Sequence, residues 1–234
     1  MNFQSTAKKK MKETDSNNVE DAVVLMRKDI QHGRFAPGQR LIEIDVMQHL
    51  RITRGRVREV FKRLEVEGLV QIDKNRGASI RKVSREEVQN IFEVLEEISN
   101  LIVKKVAGQL DEEQNRKRLR ASRNFAKKFR KESEKILKVM DYMEENARFW
   151  GALSEISGND VLSDIRIRLQ TPLFHLSMEG LTVNANHAQW ITRHEDIITA
   201  ILDHNVELAS HHARESMHDV WKAILALPDS AFAS

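Results

Sequence analysis

Thr53-Arg54-Gly55-Arg56-Val57-Arg58-Glu59-Val60-Phe61-Lys62-Arg63-Leu64-Glu65-Val66-Glu67-Gly68 is the stretch that decides the fold. Val57, Val60, Phe61 and Leu64 recur at three- and four-residue steps, which predicts a helix with one buried stripe. Thr53 suits the N-cap and Gly68 the stop. With the apolar stripe turned inward, Arg54 and Arg58 share an outward face, because residues four apart are neighbours on a helix. Between Arg51 and Arg63 there are six basic residues and one acid, a local net of +5, although the whole chain nets only +3.

Working outward, Leu69 to Ile72 and Ala78 to Val83 read as short strands, joined by Asp73-Lys74-Asn75-Arg76-Gly77. Upstream, 19–32 reads as a helix capped by Asn18 and ended by Gly33. Phe35-Ala36-Pro37-Gly38 reads as a turn. Ile42 to Leu50 reads as a second, short helix with Ile42, Val46, Met47 and Leu50 on one face. Three helices followed by a hairpin with a basic tip describe a winged helix-turn-helix. A helix entering the major groove needs small or hydroxyl residues for close approach to phosphate. It also needs Arg to bridge guanine O6 and N7. Thr53, Arg54, Arg56 and Arg58 supply both, with Asn75, Arg76 and Gly77 at the wing tip.

Beyond Ser84 the period changes. Ser84-Arg85-Glu86-Glu87 has capping-box spacing, and helical patterning then continues to the end. Helices are expected at 85–108, 111–132, 135–157, 159–169, 172–179, 187–203 and 205–227, with breaks that include Gly108, Gly158 and Gly180. The expected fold is mainly α: a disordered arm at 1–18, a winged helix-turn-helix at 19–83 and an all-α antiparallel bundle at 84–234.

The string Gly33 to Leu41, then Thr53-Arg54 with Val57-Arg58-Glu59, then Leu64-Glu65-Val66-Glu67-Gly68-Leu69-Val70, then Asn75-Arg76-Gly77, resembles the GntR superfamily of regulators. The resemblance implies that Thr53, Arg54 and Arg58 contact DNA and that Gly77 sits at the wing. Arg56 stands where the family often has an uncharged residue. Asn146-Ala147-Arg148-Phe149-Trp150, Ser157-Gly158-Asn159, His194 to Ile197 and the terminal helix with Ala209 and Ala213 resemble the FadR-type (FCD) effector domain. The resemblance implies a homodimer on a near-palindromic double-stranded operator, repression of transcription and a small-molecule effector.

Many members of that subfamily hold a divalent metal with an Asp and a His four apart and two later His. The matching positions here are Asn146, Trp150, His194 and Ser216, so one ligand of four survives and no metal is expected. Relatives also carry an Arg and a Glu on the first long helix, where this chain has Leu95 and Ser99. Leu95, Ser99, Asn146, Trp150, His194 and Ser216 thus mark the candidate effector pocket. Two readings stand: a more apolar pocket for a bulky ligand, or a cavity filled by Leu95 and Trp150 in an effector-independent regulator. Arg166 and Arg168 are alternatives for an anionic effector, although charges on a helix are usually solvated. His212, one turn before Ser216, is a candidate for an inward-facing group, although the histidines there read first as surface or polar-network residues.

Other functions are disfavoured. There are no cysteines, which removes disulfides and cysteine-based chemistry. Glu144, Glu145 and His175 form no recognisable catalytic constellation, so no enzyme and no cofactor are expected. The stacking aromatics of RNA-binding sheets are missing. No apolar run approaches the roughly 20 residues of a membrane span. The N-terminus, with Lys8, Lys9, Lys10 and Lys12, has no apolar signal core. A cytoplasmic location is expected.

Overall fold

The computed structural model describes residues 19–31, 34–133, 139–184 and 187–233. The expected arm at 1–18, the Asn18 cap and the Gly33 stop lie outside the described residues. The chain divides into two compact units, Met1–Lys82 and Val83–Ser234.

The first unit holds helices α1 (19–31), α2 (Glu43–Leu50) and α3 (Arg54–Val66) and a three-stranded antiparallel sheet. Its strands are β1 (Arg40–Leu41), β2 (Val70–Asp73) and β3 (Gly77–Ile80), in the order β1-β3-β2. Val57, Val60, Phe61 and Leu64 are buried, so the stripe on α3 faces the core as its spacing requires. They meet Val23, Met26 and Ile30 of α1 and Val70 and Ile80 of the sheet. Arg27 of α1 grips Glu67 just past α3 through two hydrogen bonds of 2.8 and 2.7 Å.

Three local expectations change. β2 starts one residue later than predicted and β3 is shorter than predicted, and Asp73 pairs directly with Gly77, which leaves a three-residue turn. Arg40 and Leu41 add the third strand by pairing with Ser79 and Ala78. Ile42 does not belong to the buried face of α2. It is the N-cap in extended conformation and is 55% exposed. Its backbone is still leaving β1, so its side chain does not follow the helical rotation.

The second unit holds α4 (Arg85–Ala107), α5 (Glu113–Ser133), α6 (Val139–Ser157), α7 (Asp160–Gln170), α8 (Phe174–Asn184), α9 (His187–Leu202) and α10 (Val206–Leu225). The Ser84 hydroxyl accepts from the Glu87 amide at 3.1 Å and caps α4. Asn159 and Asn205 cap α7 and α10 in the same way. α4 packs on α10, α6 and α7, α5 packs on α9 and α6, and α8 packs on α10. The segment before α8 is a 3₁₀ turn, Thr171–Leu173, that carries Pro172. Gly180 does not end α8 as expected. A Cβ there would lie 2.9 Å from the Ala223 carbonyl oxygen, so the missing side chain permits close helix packing.

At the C-terminal end, Arg85 donates to the Leu225 and Leu227 carbonyls at 2.8 and 2.7 Å. It also pairs with Asp229 and lies over the Phe232 ring. The Ala233 amide donates to the Val83 carbonyl at 3.0 Å.

Candidate nucleic-acid interface and interior site

The first candidate surface is the N-terminal end of α3. Arg51 ends α2 in the left-handed region with φ 54°, which turns the chain within three residues into α3. Thr53 is the N-cap, extended and exposed, and its hydroxyl makes no capping hydrogen bond. The helix N-terminus therefore presents its amides together with a hydroxyl, an arrangement suited to phosphate. Arg54 and Arg58 project from the first two turns and are well exposed; Arg56, between them, is half-buried.

Arg54 and Arg58 are not independent. Glu43, the first residue of α2, accepts from the Nε of both; the Arg58 contact is 2.7 Å. The Arg58 bond, then the Arg54 bond, hold the Glu43 carboxyl below the usual range, and the same contact raises Arg58. Sequence periodicity could not reveal this pair, because it joins two helices. At the wing tip, Asn75 takes φ 71° and Gly77 φ 83°, and the Arg76 amide donates to the Asp73 carbonyl at 3.2 Å. Asn and Gly tolerate that left-handed backbone, so the turn keeps Arg76 at an exposed tip.

The second candidate site lies inside the helical unit. His194 of α9 is fully buried and its Nδ1 meets Glu145 Oε2 at 2.7 Å. Its ring stacks on Phe149 at 4.0 Å with a 9° interplanar angle. Phe149 in turn meets Trp150 edge-on. Burial, then the nearby Glu145 charge, push the buried Tyr142 hydroxyl well above its ordinary range. Trp150 supports the guanidinium of Arg166, 3.9 Å above its ring.

Arg166 corrects the expectation of a solvated charge. It is 4% exposed, donates from Nη1 to Gln170 at 2.8 Å, and leaves Nε and Nη2 without partners among the described residues. Burial pushes its pKa down to about 9. A signal existed: Leu162, Arg166 and Leu169 share one face of α7, so the arginine interrupts an apolar stripe. Arg168 is exposed.

Of the predicted pocket residues, Trp150 and His194 are linked through Phe149. Leu95 is buried in a separate cluster with Leu173, Leu176 and Ile224. Ser99 and Ser216 are buried, and Ser99 Oγ has no partner among the described residues. Asn146 is half-buried, as is His212. The donor set does not fit a divalent metal. Glu145 occupies Nδ1 of His194, and the remaining matching positions offer an amide, an indole and a hydroxyl. Among the described residues no group of three or more His, Cys, Asp or Glu is placed to hold a metal ion.

Two family profiles match. "Bacterial regulatory proteins, gntR family" covers residues 18–80, and "FCD domain" covers residues 90–219, more than half of the chain. The chain belongs to the GntR family and carries an FCD domain.

The GntR-type head and FCD bundle account for the two units. Among curated proteins, the chain is 33% identical over 90 residues to the HTH-type transcriptional repressor RspR of Escherichia coli K12. That match covers 38% of this chain and 40% of RspR. The Uxu operon regulator of Haemophilus influenzae is 25% identical over 219 residues, covering 88% of this chain and 81% of that protein. The chain thus spans about 40% of the length of the first curated relatives it matches. Two solved structures share the fold at a TM-score of 0.71. A GntR regulator from Rhodococcus sp. RHA1 is 21% identical, with 91% of this chain and 100% of that chain covered. E. coli McbR/YncC is 17% identical, with 89% and 97% covered. GntR regulators bind DNA. No helix among the described residues is long and apolar enough to cross a membrane.

Proposed function

We propose that this GntR-family regulator is a cytoplasmic homodimeric repressor of a near-palindromic operator, released by a small anionic effector held in the FCD unit. The observation that carries the DNA-binding part is the exposed N-terminus of α3, where Thr53, Arg54 and Arg58 stand together beside Glu43. The Thr53 hydroxyl takes a phosphate, Arg54 and Arg58 read base edges, and Arg56 and the wing tip Asn75-Arg76-Gly77 steady the duplex. Glu43 positions both arginines and gives them up to DNA. Exposed apolar side chains on α4 and α7, Val94, Leu101, Val161 and Ile165, support pairing of two copies, since these helices pack together.

The effector reading rests on Arg166. A buried guanidinium with two unused nitrogens is completed by a carboxylate or similar anion. Trp150 lies against the guanidinium, and His194 is linked to Trp150 through Phe149; Asn146, Ser99 and Ser216 are the other polar groups of the proposed pocket. The effector shifts DNA binding only if it binds the two states unequally. Full burial of Leu95 and Trp150 favours a second reading, a filled interior with no effector.

The test is binding to the DNA upstream of the chain's own gene. Arg54→Ala or Arg58→Ala weakens specific binding about 5- to 150-fold. Equal affinity of variants and wild type removes the assignment. Carboxylate ligands that raise the melting temperature and release the DNA support the effector. Release that persists in Arg166→Met refutes the role of that arginine.

A further inference from the structure

The GntR-type head is not the only strongly basic element. α3 carries five basic and two acidic residues, net +3, and α5 carries nine basic and two acidic residues, net +7. Since the chain as a whole nets +3, everything outside these two helices nets −7. The charge of α5 is also sorted by side chain. On its inner face, Asn115, Leu119 and Ala126 are buried, and Phe129 is half-buried against the bundle. Two arginines are used in packing: Arg116 donates to the Leu110 carbonyl, and Arg130 pairs with Glu195 at 2.8 Å.

The outer face presents Lys117, Arg120, Asn124, Lys127, Lys128 and Lys131, all exposed. Their spacing confines them to one stripe about 21 Å long, at 1.5 Å per residue. Arg120 has a loose acidic neighbour, Glu113 at 3.6 Å. Lys117, Lys127 and Lys131 have no carboxylate partner among the described residues. Asn124, Lys127, Lys128 and Lys131 line a shallow open groove of about 440 Å³.

We infer that this stripe is a second, sequence-independent contact for duplex DNA, made by the FCD unit through phosphates alone. Lysine is a point charge suited to phosphate and carries no base-reading fork. A membrane is disfavoured by the sorting itself. An interfacial helix buries an apolar face in lipid, whereas the apolar face of α5 is spent on the bundle and its outward stripe offers none. The phosphates engaged are either those flanking the site held by the head or those of a separate duplex, and probe length distinguishes the two.

The test uses the full chain with Arg54→Ala and Arg58→Ala, so that specific reading is disabled, and a random 40-base-pair duplex followed by fluorescence anisotropy across KCl concentrations. Adding Lys117→Gln, Lys127→Gln, Lys128→Gln and Lys131→Gln weakens binding about tenfold or more at low salt. It also flattens the log K against log salt slope by about three to four. Melting temperatures confirm that these exposed changes leave the fold intact. A control, Lys104→Gln, Lys105→Gln and Lys222→Gln, removes comparable charge elsewhere and leaves binding within about twofold. Equal loss in the control, unchanged binding in the α5 variant, or tighter binding to phosphatidylserine vesicles or to RNA of the same length each overturns the inference. Intact arginines and an operator with 20-base-pair flanks then locate the contact: a flank-dependent gain lost in the α5 variant places it beside the head, and equal loss on short and long probes places it on a second duplex. The operator titrations of Arg54 and Arg58 alone report on the recognition helix, so the two assignments fail separately.

Discussion

Replacing Arg166 by Met should leave the protein as stable as before or more so, although Arg166 is a buried charged side chain. Burial lowers its pKa from the ordinary arginine range to about 9. At about 1.36 kcal/mol per unit this is a desolvation cost of about 5 kcal/mol. The contact 3.9 Å above Trp150 returns about 2 kcal/mol for a desolvated pair. The bond to Gln170 returns about 1.5–3 kcal/mol. The remainder is about 0–1.5 kcal/mol against the charged form, which an apolar side chain of similar length avoids. The sign with pH follows from the lowered pKa. The folded chain binds fewer protons than the unfolded chain from about pH 9 up to the ordinary arginine range, so the penalty is fully present below pH 9 and shrinks only above it. The gain in Arg166→Met is therefore flat through neutral pH. Urea unfolding followed by far-UV circular dichroism measures it, with Arg166→Ala as a companion that leaves a cavity and loses stability. A loss of more than about 2 kcal/mol in Arg166→Met, comparable to a large-to-small truncation, would show that the guanidinium is fully satisfied and refute the reasoning.

Glu43→Gln removes the carboxylate beside Arg54 and Arg58 and should strengthen binding to random duplex DNA several-fold, with a steeper salt dependence. The ratio of specific to random binding falls, and an unchanged ratio would contradict the positioning role. Gly180→Ala places a Cβ 2.9 Å from the Ala223 carbonyl. The resulting helix shift costs about 1–3 kcal/mol, more than the propensity gain, so the melting temperature falls by several degrees; a rise would show that α8 and α10 separate freely. Burial holds the His175 pKa below its ordinary value. As pH falls through about 6.5 the unfolded chain takes up a proton that the fold resists, and stability is lost. His175→Gln should flatten the decline between neutral and mildly acidic pH, and an identical slope would exclude His175 as its source.

The features that were legible are those written in local order. Val57, Val60, Phe61 and Leu64 announce α3, and Asn75 and Gly77 announce the turn, because period and backbone freedom are properties of neighbours. Ser84 and Glu87 likewise define a cap before any packing is known. Features that depend on distant partners were hidden. Arg40 and Leu41 become a strand only by pairing with Ser79 and Ala78. Gly180 reads as a break, yet it is selected by the backbone of α10. Glu43 is an ordinary first-turn acid until α3 is laid beside it. Arg166 is legible in part, because Leu162 and Leu169 flank it on one face of α7, but its burial depends on the helices packed against that face. The pairing of His194 with Glu145 joins α9 to α6 across 49 residues, so no local pattern announces it.

The clasp between the two ends of the helical unit has a consequence for how the chain is made. Arg85 holds carbonyls at residues 225 and 227, and Val83 receives the amide of Ala233. These bonds close a loop of nearly the whole unit, so they form only after residues 225–233 have been synthesised. The first unit ends at residue 82 and is synthesised long before that. A nascent chain thus owns a finished α3 while its helical unit is still open, and a chain cut before residue 225 would leave that unit in the unfinished state.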